Sequence, residues 1–279
     1  MSEKETIVTG YKAYDELEYS DDFMFGKVML DGELCRDVLE CLLQQPVGVL
    51  QEVKNEKQYR YTKDGKPIRL DKFTKDDHRY YDAEMQNLGN KSLEYHQLPK
   101  RSRFYQSSID TDFMNARGQY RDLPDSVVMF ICTFDPFRKG LPKYTFANRC
   151  EEDPGLYLDD GTTKIFCNCC YEGEDVPQDV RDLYDYIRTG KSSNELTRRI
   201  DGAVKKARKI EEWRSDYMKE VVLLTDAKNE GREEGREEGR EEERINTERE
   251  RNRADKEKIE RIRIQEELAR YKSKYGELK

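Results

Sequence analysis

Two short segments carry residues whose types and spacing could do chemistry together: Ile68-Arg-Leu-Asp71 and Tyr81-Asp-Ala-Glu84-Met-Gln86. Each is a β-like run ending in an acid. The polar stretch Lys75-Asp-Asp-His-Arg79 between them is short enough for a hairpin turn, which predicts antiparallel strands with Asp71 and Glu84 side by side near one end. Paired carboxylates on adjacent strands are the oxygen donors that a hard divalent cation such as Mg2+ takes. Such a cation activates water and neutralises developing charge in phosphodiester hydrolysis. The plainer reading is a hairpin with exposed acids, common on any soluble protein. Against it, Ile68, Leu70 and Phe73 flank Asp71, while Tyr80, Tyr81, Ala83 and Met85 accompany Glu84. Both strands therefore read as half buried, where a carboxylate without a partner or metal is costly.

The elements that must position these acids follow from periodicity and punctuation. A helix is predicted from residue 20 or 21 to 29. A second runs over 33–45 up to Pro46, with Leu34, Val38, Leu42 and Leu43 as its apolar stripe. A strand region over 47–61 precedes the hairpin of 67–74 and 79–87. A long helix over 93–113 follows, and then Ser126-Val-Val-Met-Phe-Ile-Cys-Thr-Phe134, whose continuous apolar run predicts a buried central strand. The order αβββαβ, an α/β class with a mixed sheet, is extended by strands over 144–148 and 164–171. Helices are predicted over 177–189, 194–200 and 202–224, the last with Val204, Ala207, Ile210, Tyr217 and Val221 at helical spacing. Trp213 reads as a packing anchor rather than a base-stacking platform.

The combination of Asp71, Glu84-x-Gln86 and the basic, aromatic helix Leu98-Pro-Lys-Arg-Ser-Arg-Phe-Tyr-Gln-Ser107 resembles the PD-(D/E)xK nuclease superfamily. Within it, the pattern is similar to the bacterial recombination-promoting nuclease or putative transposase group. Asp22-Phe-Met-Phe25 and Leu183-Tyr-Asp-Tyr-Ile-Arg-Thr-Gly190 also look like that group, so the resemblance covers roughly 15–225. It implies a restriction-endonuclease-like αβββαβ core and a metal-dependent DNA endonuclease, with roles in recombination or transposition. By this resemblance Asp71 matches the central metal-binding aspartate and Glu84 the acid of the last motif. Asp22 matches the optional acid of the first helix, although an acid there equally suits a helix N-terminus. A strand carbonyl at Met85 would complete the metal ligands, with Mn2+ replacing Mg2+.

Gln86 departs from the pattern, standing where the superfamily's lysine orients the water. A neutral amide can hold a water but supplies no charge. The following helix could supply it. Arg101 and Tyr105 are four apart and share a face, and superfamily members often carry Gln or Lys and Tyr at this spacing. The competing reading of this helix is a solvated basic face whose Phe104 and Ile109 pack inward. For the whole chain, the competing reading is an inactive nuclease fold serving as a nucleic-acid or protein interaction module.

Composition bounds these readings. The net charge of −8 argues against a protein that coats polyanions generally. Contact with DNA must then be local, at Lys100-Arg-Ser-Arg103 or Lys205-Lys-Ala-Arg-Lys209. Seven cysteines, an odd count with no secretory leader, fit reduced thiols in a cytoplasm, with Cys35, Cys41 and Cys132 as small core residues. Cys167-Asn-Cys-Cys170 lacks the matching ligand pairs of a structural zinc site. No apolar stretch is long enough to span a membrane. The organisation reads as a flexible N-terminus over 1–14, a nuclease-like domain over 15–225 and a charged tail over 226–279. The tail repeats Gly-Arg-Glu-Glu from Gly231, Gly235 and Gly239. Its later Ile264, Leu268, Tyr271, Tyr275 and Leu278 follow four–three spacing, a short coiled-coil seam that would join two copies into a homodimer or higher oligomer. A disordered spacer is the competing reading of this tail.

Overall fold

The computed structural model describes residues 11–59, 68–87, 97–115 and 119–276, with side chains except those at 52–59, 68–72 and 275. The chain divides into two compact units at Tyr217/Met218. The first is an α/β unit. Helices α1 (Asp22–Val28) and α2 (Gly32–Leu43) lead into strands β1 (Gln51–Tyr59), β2 (Ile68–Lys75) and β3 (Arg79–Gln86). Helix α3 (Leu98–Asn115) crosses to β4 (Asp125–Cys132). Strands β5 (Lys143–Phe146) and β6 (Thr162–Asn168) and helices α4 (Gln178–Thr189) and α5 (Glu195–Ala207) follow. Helix α6 (Glu211–Tyr275) gives its residues up to Tyr217 to this unit and the rest to the second.

The six strands form one mixed sheet in the order β1-β2-β3-β4-β6-β5. The first three are antiparallel, β3, β4 and β6 run parallel, and β5 returns antiparallel on the edge. Strand β4 has a parallel neighbour on each side and is buried from Ser126 to Cys132, which is why its sequence is apolar throughout rather than alternating. On one face Val128, Phe130 and Cys132 pack with Phe73, Phe166 and Tyr144 under Leu98, Tyr105 and Ile109 of α3. Alternation puts Val127, Met129 and Ile131, also buried, on the other face.

Local chemistry sets the element ends. The Asp31 side chain caps α2 by accepting the N–H groups of Glu33 and Leu34 at 3.1 Å, and α2 ends where Gln44 turns left-handed. The β2–β3 turn is organised by Asp76, whose carboxylate accepts the N–H groups of His78 and Arg79 at 2.8 Å, that of Gly48 at 3.1 Å and the Tyr81 hydroxyl at 2.8 Å. Burial alone would push this carboxyl up, but the donors from His78, Tyr81, Gly48 and Arg79 hold it below its ordinary value.

One predicted helix is corrected. The stretch 202–224 is not a single helix. Helix α5 runs through Gly202 to Ala207, and the chain turns over 208–210 before α6 starts. Tertiary bonds hold this break: the Tyr14 hydroxyl donates to the Ala207 carbonyl at 2.7 Å, and the Arg208 guanidinium donates twice to the Leu17 carbonyl. The N-terminal residues are tied to α6 by Arg214 on Asp15 and by the Tyr217 hydroxyl on the Lys12 carbonyl. Trp213 is half-buried, with the Lys27 ammonium 5.5 Å from its ring.

In the second unit the Gly-Arg-Glu-Glu repeats lie within helix α6, and Ile264, Leu268 and Tyr271 are exposed. Leu278 lies outside the described residues. All seven cysteines are free thiols, five of them buried. No helix among the described residues is long and apolar enough to cross a membrane.

Candidate active site

Alternation along β3 puts Asp82, Glu84 and Gln86 on one face of the sheet, the face that α3 covers. In the parallel register Asp82 lies beside Val128 and Glu84 beside Phe130. Glu84 and Gln86 therefore stand toward the carboxyl ends of β3 and β4, where open α/β sheets place their ligand crevices. Both acids on this face are buried, Asp82 at 0% and Glu84 at 1% exposure.

Helix α3 brings the cation. With Leu98, Tyr105 and Ile109 fixed in the core, Arg101 projects over the end of β3. Its guanidinium donates to Gln86 Oε1 at 2.8 Å, to the Tyr105 hydroxyl at 2.9 Å and to Glu84 Oε2 at 3.3 Å. It also stands 5.4 and 5.5 Å from the ring centroids of Tyr105 and Phe130. A planar fork with several donors can satisfy an amide, a phenol and a carboxylate together, which a lysine could not do with the same geometry. Burial, and then the Glu84 carboxylate, push the Tyr105 phenol up, so it accepts from Arg101 as a neutral hydroxyl rather than acting as a base.

Four of the residues singled out in the sequence are thus one hydrogen-bonded cluster: Glu84, Gln86, Arg101 and Tyr105. Met85 points away, buried, and its carbonyl accepts an N–H of the Gln86 amide at 2.8 Å. Asp71 lies in β2, one residue beyond the Lys72–Ala83 pair that joins β2 to β3. Its side chain is outside the described set. Asp22 is exposed in the first turn of α1 and is not among the groups bonded to the cluster. The inward reading of Phe104 is corrected: Ile109 is buried, but Phe104 is 50% exposed. Sequence reasoning passed over Asp82, although its signal was present as the polar alternation Asp82-x-Glu84-x-Gln86 within an otherwise apolar strand.

The donor chemistry suits a hard cation. The buried Glu84 carboxylate and the Met85 carbonyl next to it in the chain are oxygen donors of the kind Mg2+ and Mn2+ prefer. Among the described residues no three His, Cys, Asp or Glu side chains are grouped closely enough to hold a metal by themselves. Arg101 is the positive charge beside Glu84 in this arrangement. Compared with known proteins, the chain matches no family model, no curated protein and no solved structure.

Proposed function

We propose that this protein is a divalent-metal-dependent DNA endonuclease built on a restriction-endonuclease-like αβββαβ core, suited to recombination or transposition. The observation that carries the reading is the Arg101 fork joining Gln86, Tyr105 and Glu84. It supplies the positive charge that a glutamine in the lysine position lacks. The element order α1–α2, β1–β2–β3, α3, β4 and the position of Glu84 at the strand ends also support it.

Asp71, Glu84 and the Met85 carbonyl would hold the metal, with Asp22 as an outer acid. When bound, Mg2+ or Mn2+ would acidify a water and neutralise charge on the phosphate. The chain's own groups do the rest. The Gln86 amide orients a water or a phosphate oxygen. The Arg101 guanidinium binds phosphate oxygens, exchanging its bond to Glu84 for one to substrate. The neutral Tyr105 hydroxyl holds the guanidinium in plane.

Nicking of supercoiled plasmid with Mg2+ or Mn2+ tests the reading. Wild type is expected to nick and Asp71→Ala to be inert, and equal rates would overturn the assignment. A second reading, an interaction module without turnover, is favoured by the Arg101–Glu84 contact, because a cation already compensates that acid. Calorimetric titration separates the two: divalent-metal heat lost in Glu84→Ala belongs to the nuclease, and no metal heat in wild type belongs to the module.

The tail adds a partner to this proposal. With Leu268 and Tyr271 at core positions, Glu267 and Lys272 fall at the flanking positions that pair across a parallel two-chain coil. A dimer joined there brings two sites to opposite strands and turns nicks into breaks. Light scattering of a chain ending before Asp226 is expected to show a monomer that only nicks. An unchanged oligomeric state and cleavage pattern would refute the role.

A further inference from the structure

We infer that the outward face of α3 is a single-stranded nucleic-acid path, with Phe104 as a base-stacking platform. This rests on the nuclease reading and deepens it by naming a path for a strand that leaves the duplex at the site of nicking. Along α3, Lys100, Phe104, Ser107 and Thr111 recur at four, three and four residues and lie on one exposed face, with Arg103 beside them. The opposite face carries the buried Ser102, Tyr105, Ser108 and Ile109 that fix the helix to the sheet. Phe104 sits directly before Tyr105 and one turn from Arg101. A strand lying on this ridge therefore passes to the Arg101–Gln86–Glu84 cluster without leaving the helix.

A single exposed phenylalanine is ordinary on a protein surface. What distinguishes Phe104 is its company. Among the described residues neither Lys100 nor Arg103 makes an ion pair, so two free cations precede a half-exposed ring within about one helical turn, next to the Arg101 guanidinium. Ser107 and Thr111 donate their hydroxyls to the carbonyls of Arg103 and Ser107, leaving the ridge smooth and low beyond the ring. Cations spaced along a helix and followed by an exposed aromatic match a backbone of phosphates whose bases are free to stack. A duplex keeps its bases within the stack and offers this ring only phosphate and sugar, so charge complementarity together with an aromatic favours the unpaired strand.

The test is fluorescence anisotropy of the full-length protein with labelled oligo(dT), oligo(U) and duplex DNA, in EDTA so that cleavage plays no part. Single strands are expected to bind more tightly than duplex. Phe104→Ala is expected to weaken them by about tenfold, the effect of one lost stacking contact. Phe104→Trp should retain binding, and Phe104→Leu, apolar without a π face, should lose it like alanine. Lys100→Ala and Arg103→Ala should each lower the salt dependence by about one ion. Equal affinity of Phe104→Ala and wild type, or duplex bound as tightly as single strand, would overturn the path even if plasmid nicking is active. Intact single-strand binding without any nicking would instead sink the nuclease reading and leave the path standing. Preference between oligo(dT) and oligo(U) assigns the strand to DNA or RNA, and tighter oligo(U) binding would count against a DNA substrate.

Discussion

Glu84→Gln is expected to reduce metal-dependent nicking by about a thousandfold or more, the scale of losing a group central to catalysis, while leaving the fold at least as stable as wild type. Glu84 is 1% exposed and shares its sheet face with Asp82, at 0% exposure. Carboxylates held out of water on one strand face are costly to bury even when each has a partner. The amide keeps the shape, still accepts the Arg101 donor through its oxygen, and removes one buried charge. Arg101 is 32% exposed at its side chain and can be solvated when its carboxylate partner is gone. The expected gain is about 1 kcal/mol, a rise in Tm of about 2–4 °C for a unit of this size. A variant that melts several degrees lower yet nicks at the wild-type rate would make Glu84 an anchor for Arg101 and nothing more. Paired thermal melts and plasmid assays on one preparation decide between the two.

Phe130→Ala is expected to have the largest effect on stability, about 3–5 kcal/mol, the range for removing a buried phenylalanine that leaves a cavity. Its ring is fully buried in β4. It stacks on Phe166 with centroids 5.3 Å apart and planes at 8°, and on Tyr105 at 6.0 Å. The Arg101 guanidinium rests over the same ring. The cavity would therefore open beneath both the core and the site. Denaturant unfolding should show a lower midpoint with an unchanged slope, and Phe130→Leu should recover more than half of the loss. At temperatures where the variant is still folded, nicking should fall further than the folded fraction, because Arg101 and Tyr105 lose their support. A loss under about 1 kcal/mol would show that the neighbouring side chains close the space and would remove Phe130 from this account.

Several elements were legible because their signals are local. The β2–β3 hairpin was readable because alternation and the polar turn residues lie within twenty positions of one another. Strand β4 was readable as central because only a strand covered on both faces is apolar at every position. The start of α1 was readable at Ser20 or Asp21, the second of which is its N-cap residue. The break between α5 and α6 was not readable. Gly202 is the local helix breaker, yet α5 passes through it, and the chain turns at 208–210 because Tyr14 and Leu17, some 190 positions away, supply partners there.

At the site, the sequence by itself determined the Glu84-x-Gln86 pair on β3 and the four-residue spacing of Arg101 and Tyr105, since both are matters of strand and helix period. It left two readings of α3 open, one of them with Phe104 turned inward. Only the tertiary structure decided that Arg101 reaches Gln86 and Glu84, that Asp82 shares their buried face, and that Phe104 stands in solvent. The physical reason is that a helix's rotation about its axis is set by what it packs on. The core formed by Leu98, Tyr105 and Ile109 against Val128 and Phe130 turns Arg101 toward the strand ends and Phe104 away from them, and those contacts join residues whose separation no local period records.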